Sequence, residues 1–130
     1  MNFYANRFSD RCRIAKQAVD KAGVQMNMNE MNLLAGDQKS EAHLKRNPNG
    51  LVPVMEEGDF TLYESLAIAK YVLDTKAPGN TLYPTDPKQR ARVNMFLGMI
   101  NDFNTLKGAM IYAKIISKMN DKYPPLPEKI

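Results

Sequence analysis

The sequence predicts an α/β fold: a small domain in the order βαβ then ββα, followed by one long helix from an all-α region. Three observations lead there. Short strand-like segments at residues 2–5 and 24–29 enclose a stretch whose apolar residues recur with helical spacing. Two further strand-like runs, 51–55 and 60–63, enclose the turn formers Gly58 and Asp59. Past a cluster of Pro, Gly and Asn at 76–85, apolar residues repeat every three or four positions from Val93 onward.

Asn2-Phe3-Tyr4-Ala5 forms the first strand, and a polar loop leads to a helix with Ile14, Ala15, Ala18, Val19 and Ala22 on one face. Ser9 and Asp10 both suit the start of that helix, and Gly23 suits its end. Val24, Met26 and Met28 alternate with Gln25, Asn27 and Asn29 in a second strand, which completes a βαβ unit. Residues 34–38 read as loop, 40–46 as a short polar helix, and Asn47-Pro48-Asn49-Gly50 as its stop. In the hairpin that follows, Pro53 cannot donate to a strand ladder, so it suits a strand's first residue or a cis peptide in a turn. Glu64 and Ser65 open a helix whose Leu66, Ile68, Ala69, Val72 and Leu73 pack back onto the sheet.

The expected domains are 1–76, a linker at 77–87, and 88–130 as the first helix and tail of an incomplete all-α domain. Asp86 caps the long helix and Pro87 takes its first position. Its stripe comprises Val93, Phe96, Leu97, Ile100, Phe103, Leu106, Met110 and Ile111, and the helix runs to about Lys118. Such a stripe is stable only against a partner surface.

Composition excludes several classes. Of 130 residues, 44% are apolar and 25% charged, near the globular averages, so disorder, collagen-like repeats and coiled coil do not fit. No apolar run approaches the roughly 20 residues of a membrane helix, and the first residues carry no signal-peptide apolar stretch. The expectation is a soluble, cytoplasmic protein with no membrane partner. One cysteine, Cys12, excludes an internal disulfide, and with one histidine, His43, it excludes a Cys/His zinc site, so no metal is expected. The net charge of +4 raises the question of nucleic acid. Arg7, Arg11, Arg13 and Lys16 cluster, but the remaining basic residues are mixed with acids, and no aromatic-basic alternation offers stacking platforms. A small anionic ligand near the cluster fits better than nucleic acid.

A βαβ-ββα domain whose third strand opens on proline is the thioredoxin-like architecture, and motifs in fixed order narrow it further. These are Phe3-Tyr4, Ser9-Asp10-Arg11-Cys12-Arg13, Asn32-Leu33-Leu34-Ala35-Gly36, Asn47-Pro48, Val52-Pro53, Tyr63-Glu64-Ser65, Ala67-Ile68 and Leu82-Tyr83-Pro84-Thr85-Asp86-Pro87. With that order and spacing the chain resembles cytosolic glutathione transferases, especially the delta, epsilon and theta classes, over residues 2 to about 100, with a truncated C-terminal helical domain.

The resemblance implies glutathione as co-substrate and Ser9 as the catalytic residue. Its hydroxyl would donate to the glutathione sulfur and favour the thiolate, since a free thiol pKa of about 8.5 leaves little reactive form at neutral pH. Taken alone, Ser9 reads more readily as a plain helix cap, and it is the other motifs that favour the catalytic reading. The resemblance also implies a cis peptide at Val52-Pro53, with the Val52 main chain pairing to the ligand as an added strand. Glu64 and Ser65 would hold the amine and carboxylate of the γ-glutamyl end, and Gln38 the glycyl carboxylate. Phe103 and Met110 would line a pocket for a small hydrophobic electrophile, and a homodimer or another chain would cover the long helix. The implied activity is conjugation of glutathione to electrophiles, a detoxification chemistry. A second possibility is a transferase-like subunit without turnover that docks through its long helix.

Two positions depart from the pattern. Gly50 stands where delta-type members commonly have histidine, and Leu66 where they commonly have arginine. Each departure removes a charge-assisted hydrogen bond worth about 1.5–3 kcal/mol. Cys12 follows Ser9 at the spacing of a Cys-x-x-Cys pair whose first place is serine, so no dithiol mechanism is possible within the chain and Cys12 reads as a packing residue. His43 reads as a surface or packing residue, and Met26, Met28 and Met31 as core filling.

Overall fold

The computed structural model describes residues 1–111, with side chains to 107. The chain divides into two compact units, Met1–Thr85 and a second beginning at Asp86. The first holds β1 (Asn2–Ala5), α1 (Asp10–Lys21), β2 (Asn27–Glu30), α2 (Glu41–Arg46), β3 (Val54–Glu57), β4 (Phe60–Tyr63) and α3 (Ser65–Lys76). A single turn of 3-10 helix at Asp37–Lys39 precedes α2, overlapping the end of the 34–38 stretch that the sequence suggests is loop.

The four strands form one sheet in the order β2-β1-β3-β4. β1 pairs with β2 in parallel, Phe3 opposite Met28, while β3 is antiparallel to both β1 and β4. Alternation along β1 sends Phe3 and Ala5 to one face, where they join Cys12, Ala15 and Val19 of α1, Ile68 and Val72 of α3, and Met55 in the core. Tyr4 points to the other face, towards α2: the His43 ring meets it edge-on at 6.5 Å between centroids, and the Arg46 guanidinium lies 4.2 Å over it. Arg46 is held there by Glu56 of β3 at 2.9 Å.

Three details differ from expectation. β2 starts at Asn27 rather than Val24, because the Val24 N–H donates to Val19 O at 3.1 Å and closes the end of α1, with Gly23 at φ 75. Met28 therefore lies on an edge strand with 37% exposure and is not core filling, whereas Met31 is buried and Met26 packs against the core. β3 starts at Val54, not Leu51, because Pro53 lacks an N–H and its peptide with Val52 is cis.

Residues 77–85 are tied to the first unit. Asn80 donates to the Leu73 and Ala77 carbonyls at 3.0 and 2.7 Å, and its Oδ1 accepts from the Leu82 and Tyr83 amides. The second unit opens as its sequence suggests, with Asp86 Oδ1 accepting from the Gln89 N–H at 2.9 Å ahead of α4 (Pro87–Ile111). The expected continuation of α4 to about Lys118 lies outside the described residues. Met95, Phe96, Met99, Ile100, Phe103 and Leu106 are exposed along it.

Candidate functional site

The sheet brings separate loops to one end. β1 and β2 are parallel, so their C-terminal ends lie together; β3 runs against β1, so its start lies at that end; β4 runs against β3, so its finish does too. Four connections meet there: the loop carrying Ser9, the loop after β2, the Val52-Pro53 entry to β3, and the Glu64-Ser65 junction into α3.

The first loop is organised by Asn6, which the sequence does not single out. Its Nδ2 donates to Met31 O at 2.9 Å, its Oδ1 accepts from the Phe8 N–H at 2.9 Å, and its carbonyl accepts from the Ser9 N–H at 3.0 Å. The opposing loop is fixed by Asn32, whose Oδ1 accepts from the Leu34 and Ala35 amides, and by Asp37, which accepts from the Asn32 N–H at 2.8 Å. Between the two lies an open cleft of about 720 Å³, lined by Ser9, Phe8, Met31, Leu33, Leu34 and their polar neighbours. On its wall Arg7 is turned aside by Glu30, which accepts from the Arg7 N–H and Nε at 3.1 and 3.3 Å.

Ser9 is the N-cap of α1, its Oγ accepting from the Cys12 N–H at 3.4 Å. That bond uses one lone pair of Oγ, and the hydroxyl also reaches the Cys12 thiol, towards which it can turn its proton. Burial pushes the Cys12 thiol above its ordinary range, against the opposing effects of the Ser9 hydroxyl and of the Asn6 N–H, which donates to Sγ at 3.4 Å. A thiol held protonated inside the fold is inert, which is the packing role expected of it.

At the entry to β3, Val52 packs against the core, and neither its N–H nor its C=O finds a main-chain partner among the described residues. Pro53 is buried behind it. Gly50 has φ +60, and a Cβ there would stand 2.7 Å from Lys39 Nζ and 3.0 Å from Gln38 O. The ammonium of Lys39, donating to Asn49 O at 3.2 Å, occupies the space beside Gly50. Gln38 donates its Nε2 to Leu33 O at 3.4 Å, while its buried Oε1 has no partner among the described residues. That acceptor is closed off from solvent, and the neighbouring cation is Lys39. The sequence does not single out Lys39; the one local hint of it is the glycine at position 50, whose missing side chain leaves room for a long one.

Glu64 has φ 75 and ψ 116, the one positive φ outside glycine among the described residues. Its carbonyl accepts the first bond of α3 from Ile68 at 3.0 Å, but its exposed side chain caps none of the first-turn amides. Those amides, with the Ser65 hydroxyl beside them, face the same sheet end with the positive pole of a twelve-residue helix. Strained backbone of this kind persists where the surrounding structure demands it, commonly at ligand clamps.

The structure thus gathers Ser9, Gln38, Val52, Pro53, Glu64 and Ser65 at one end of the sheet. The cleft beside Ser9 is walled by the loops after β1 and β2 and, of these six, includes Ser9 alone. Phe103 is 67% exposed on α4, in the second unit, and Met110 falls on the same helix with its side chain outside the described residues. Among the described residues no group of three or more His, Cys, Asp or Glu side chains is placed to hold a metal, and no helix is long and apolar enough to cross a membrane.

A family model of the glutathione S-transferase N-terminal domain matches residues 1–74. The chain belongs to the glutathione S-transferase family. Glutathione S-transferase 1 of Manduca sexta is 39% identical over 83 residues, which are 62% of this chain and 38% of that protein. A delta-class glutathione transferase of Nilaparvata lugens is 32% identical with a TM-score of 0.77, over 95% of this chain and 57% of that one. A diazinon-metabolizing glutathione S-transferase of the silkworm Bombyx mori is 33% identical with a TM-score of 0.70, over 72% and 46%. The chain therefore spans well under two thirds of each of these glutathione S-transferases. The segment matched to the family domain contains Ser9, Gln38, Val52, Pro53, Glu64 and Ser65, while Phe103 and Met110 lie beyond it.

Proposed function

We propose that the first unit binds glutathione across the gathered sheet end, holds it as the thiolate through Ser9, and delivers it to a small hydrophobic electrophile. The observation that carries this reading is the convergence of the Ser9 hydroxyl, an unpaired Val52 main chain and an α3 N-terminus without a side-chain cap on one end of the sheet. Each suits one part of the tripeptide. The Ser9 hydroxyl donates to the sulfur, and the nearby start of α1 favours its negative charge. Val52 pairs with the ligand main chain as an added strand. The γ-glutamyl carboxylate takes the first-turn amides and hydroxyl of Ser65, and the Glu64 carboxylate takes the amine. Lys39 supplies the cation for the glycyl carboxylate, and Gln38 holds the same end of the ligand. In this reading no metal takes part, and the reaction is cytosolic.

Retention on glutathione-agarose, followed by conjugation of an aromatic electrophile, tests this reading. Binding by the parent chain and a loss of conjugation in Ser9→Ala are expected; undiminished conjugation in that variant would remove Ser9 from its role. A second reading follows from the exposed Met95, Phe96, Met99, Ile100, Phe103 and Leu106, a face suited to a homodimer or to another chain. In that case the chain serves as a docking subunit without turnover, and glutathione-agarose does not retain it.

A further inference from the structure

Leu51 has an exposed side chain, 56% accessible, so packing does not fix it; its main chain is fixed instead. The Leu51 carbonyl accepts two hydrogen bonds, from His43 Nε2 at 3.0 Å and from Asn47 Nδ2 at 3.0 Å. Both donors are buried side chains of the α2 segment. A carbonyl oxygen only accepts, so His43 carries its proton on Nε2, and the buried Nδ1 without a partner is the bare lone pair that this tautomer leaves. The rest of the loop closes around Asn47, whose Oδ1 accepts from the Asn49 N–H and whose carbonyl accepts from the Gly50 N–H.

The Leu51 C=O and the Val52 N–H belong to one trans peptide plane, in which the two bonds point in opposite directions. Two donors that draw the carbonyl into the fold therefore turn the N–H outward. We propose that His43 and Asn47 are positioning residues for glutathione, holding the Leu51 carbonyl so that the Val52 N–H faces the ligand main chain. The inference rests on the reading of Val52 as the strand-like contact and adds what aims it. Double acceptance also polarises the peptide and makes its N–H a stronger donor. His43 is thus a packing residue with a directional task, not a surface residue.

The test measures glutathione affinity by calorimetry and the protection that glutathione gives to the Val52 amide in hydrogen exchange, on the full chain. His43→Phe keeps an aromatic ring but removes the donor; His43→Gln keeps a donor. The phenylalanine variant should weaken binding about fivefold, the value of one neutral hydrogen bond, with reduced protection at Val52. The glutamine variant should recover most of both. Asn47→Ala removes the other donor and carries the same test if the phenylalanine variant does not fold. Parent-like affinity and Val52 protection in His43→Phe and Asn47→Ala, with a parent chain that binds, would overturn the proposal alone. A parent chain that does not bind glutathione would overturn the proposed function and this inference with it.

Discussion

Replacing Glu64 separates backbone strain from side-chain chemistry. Its φ of 75 and ψ of 116 lie outside the regions open to residues with a Cβ, a conformation that costs about 1–3 kcal/mol. Glycine adopts it freely but loses about 0.5–1 kcal/mol more through the entropy of the unfolded chain. The exposed Glu64 side chain makes no cap bond, so its removal costs the fold little. Glu64→Gly should therefore be more stable than Glu64→Ala by about 1 kcal/mol. For a unit of this size that difference raises the melting temperature by about 4–8 °C. Urea and thermal unfolding followed by circular dichroism would measure it. Both variants should lose glutathione affinity equally, because both lack the carboxylate assigned to the amine. A glycine variant no more stable than the alanine variant would refute the assignment of strain to this position.

Gly50→Ala should destabilise the chain by about 1–2 kcal/mol, since it places a Cβ on a left-handed backbone at φ +60 and 2.7 Å from Lys39 Nζ; it should also displace Lys39 and weaken glutathione binding, both read by unfolding and calorimetry. Cys12 should react slowly with thiol reagents until the chain unfolds. Its raised pKa means that the unfolded thiol ionises at lower pH than the folded one, so stability declines as pH rises through the ordinary thiol range and beyond. Cys12→Ala should flatten that alkaline decline in the urea midpoint, and an unchanged slope would show that the thiol does not contribute.

Strand and helix order was legible because each element has its own period and punctuation. Gly23 ends α1, Gly58 turns the hairpin, and Asp86-Pro87 starts α4, all local signals that the structure keeps. What local signals missed was set by distant partners. Val24 reads as strand by alternation, yet its amide is taken by the end of α1. Met28 alternates as a core residue would, yet it lies on an edge strand. The same holds for the site. Ser9, Val52-Pro53 and Glu64-Ser65 were visible as short motifs with known chemistry. Asn6, Lys39 and the pairing of His43 with Leu51 were not, because each works through a contact between segments that only the fold brings together. The empty position at Gly50 was legible as a missing imidazole, but not as the space that Lys39 fills.

The proposed chemistry turns on the state of the bound sulfur. Thiolate absorbance in the ultraviolet, followed against pH with glutathione bound to the parent chain and to Ser9→Ala, tests it directly. Thiolate is expected on the parent chain at neutral pH and, in the variant, a transition displaced upward towards the free value of about 8.5. A transition identical in the two proteins would contradict it.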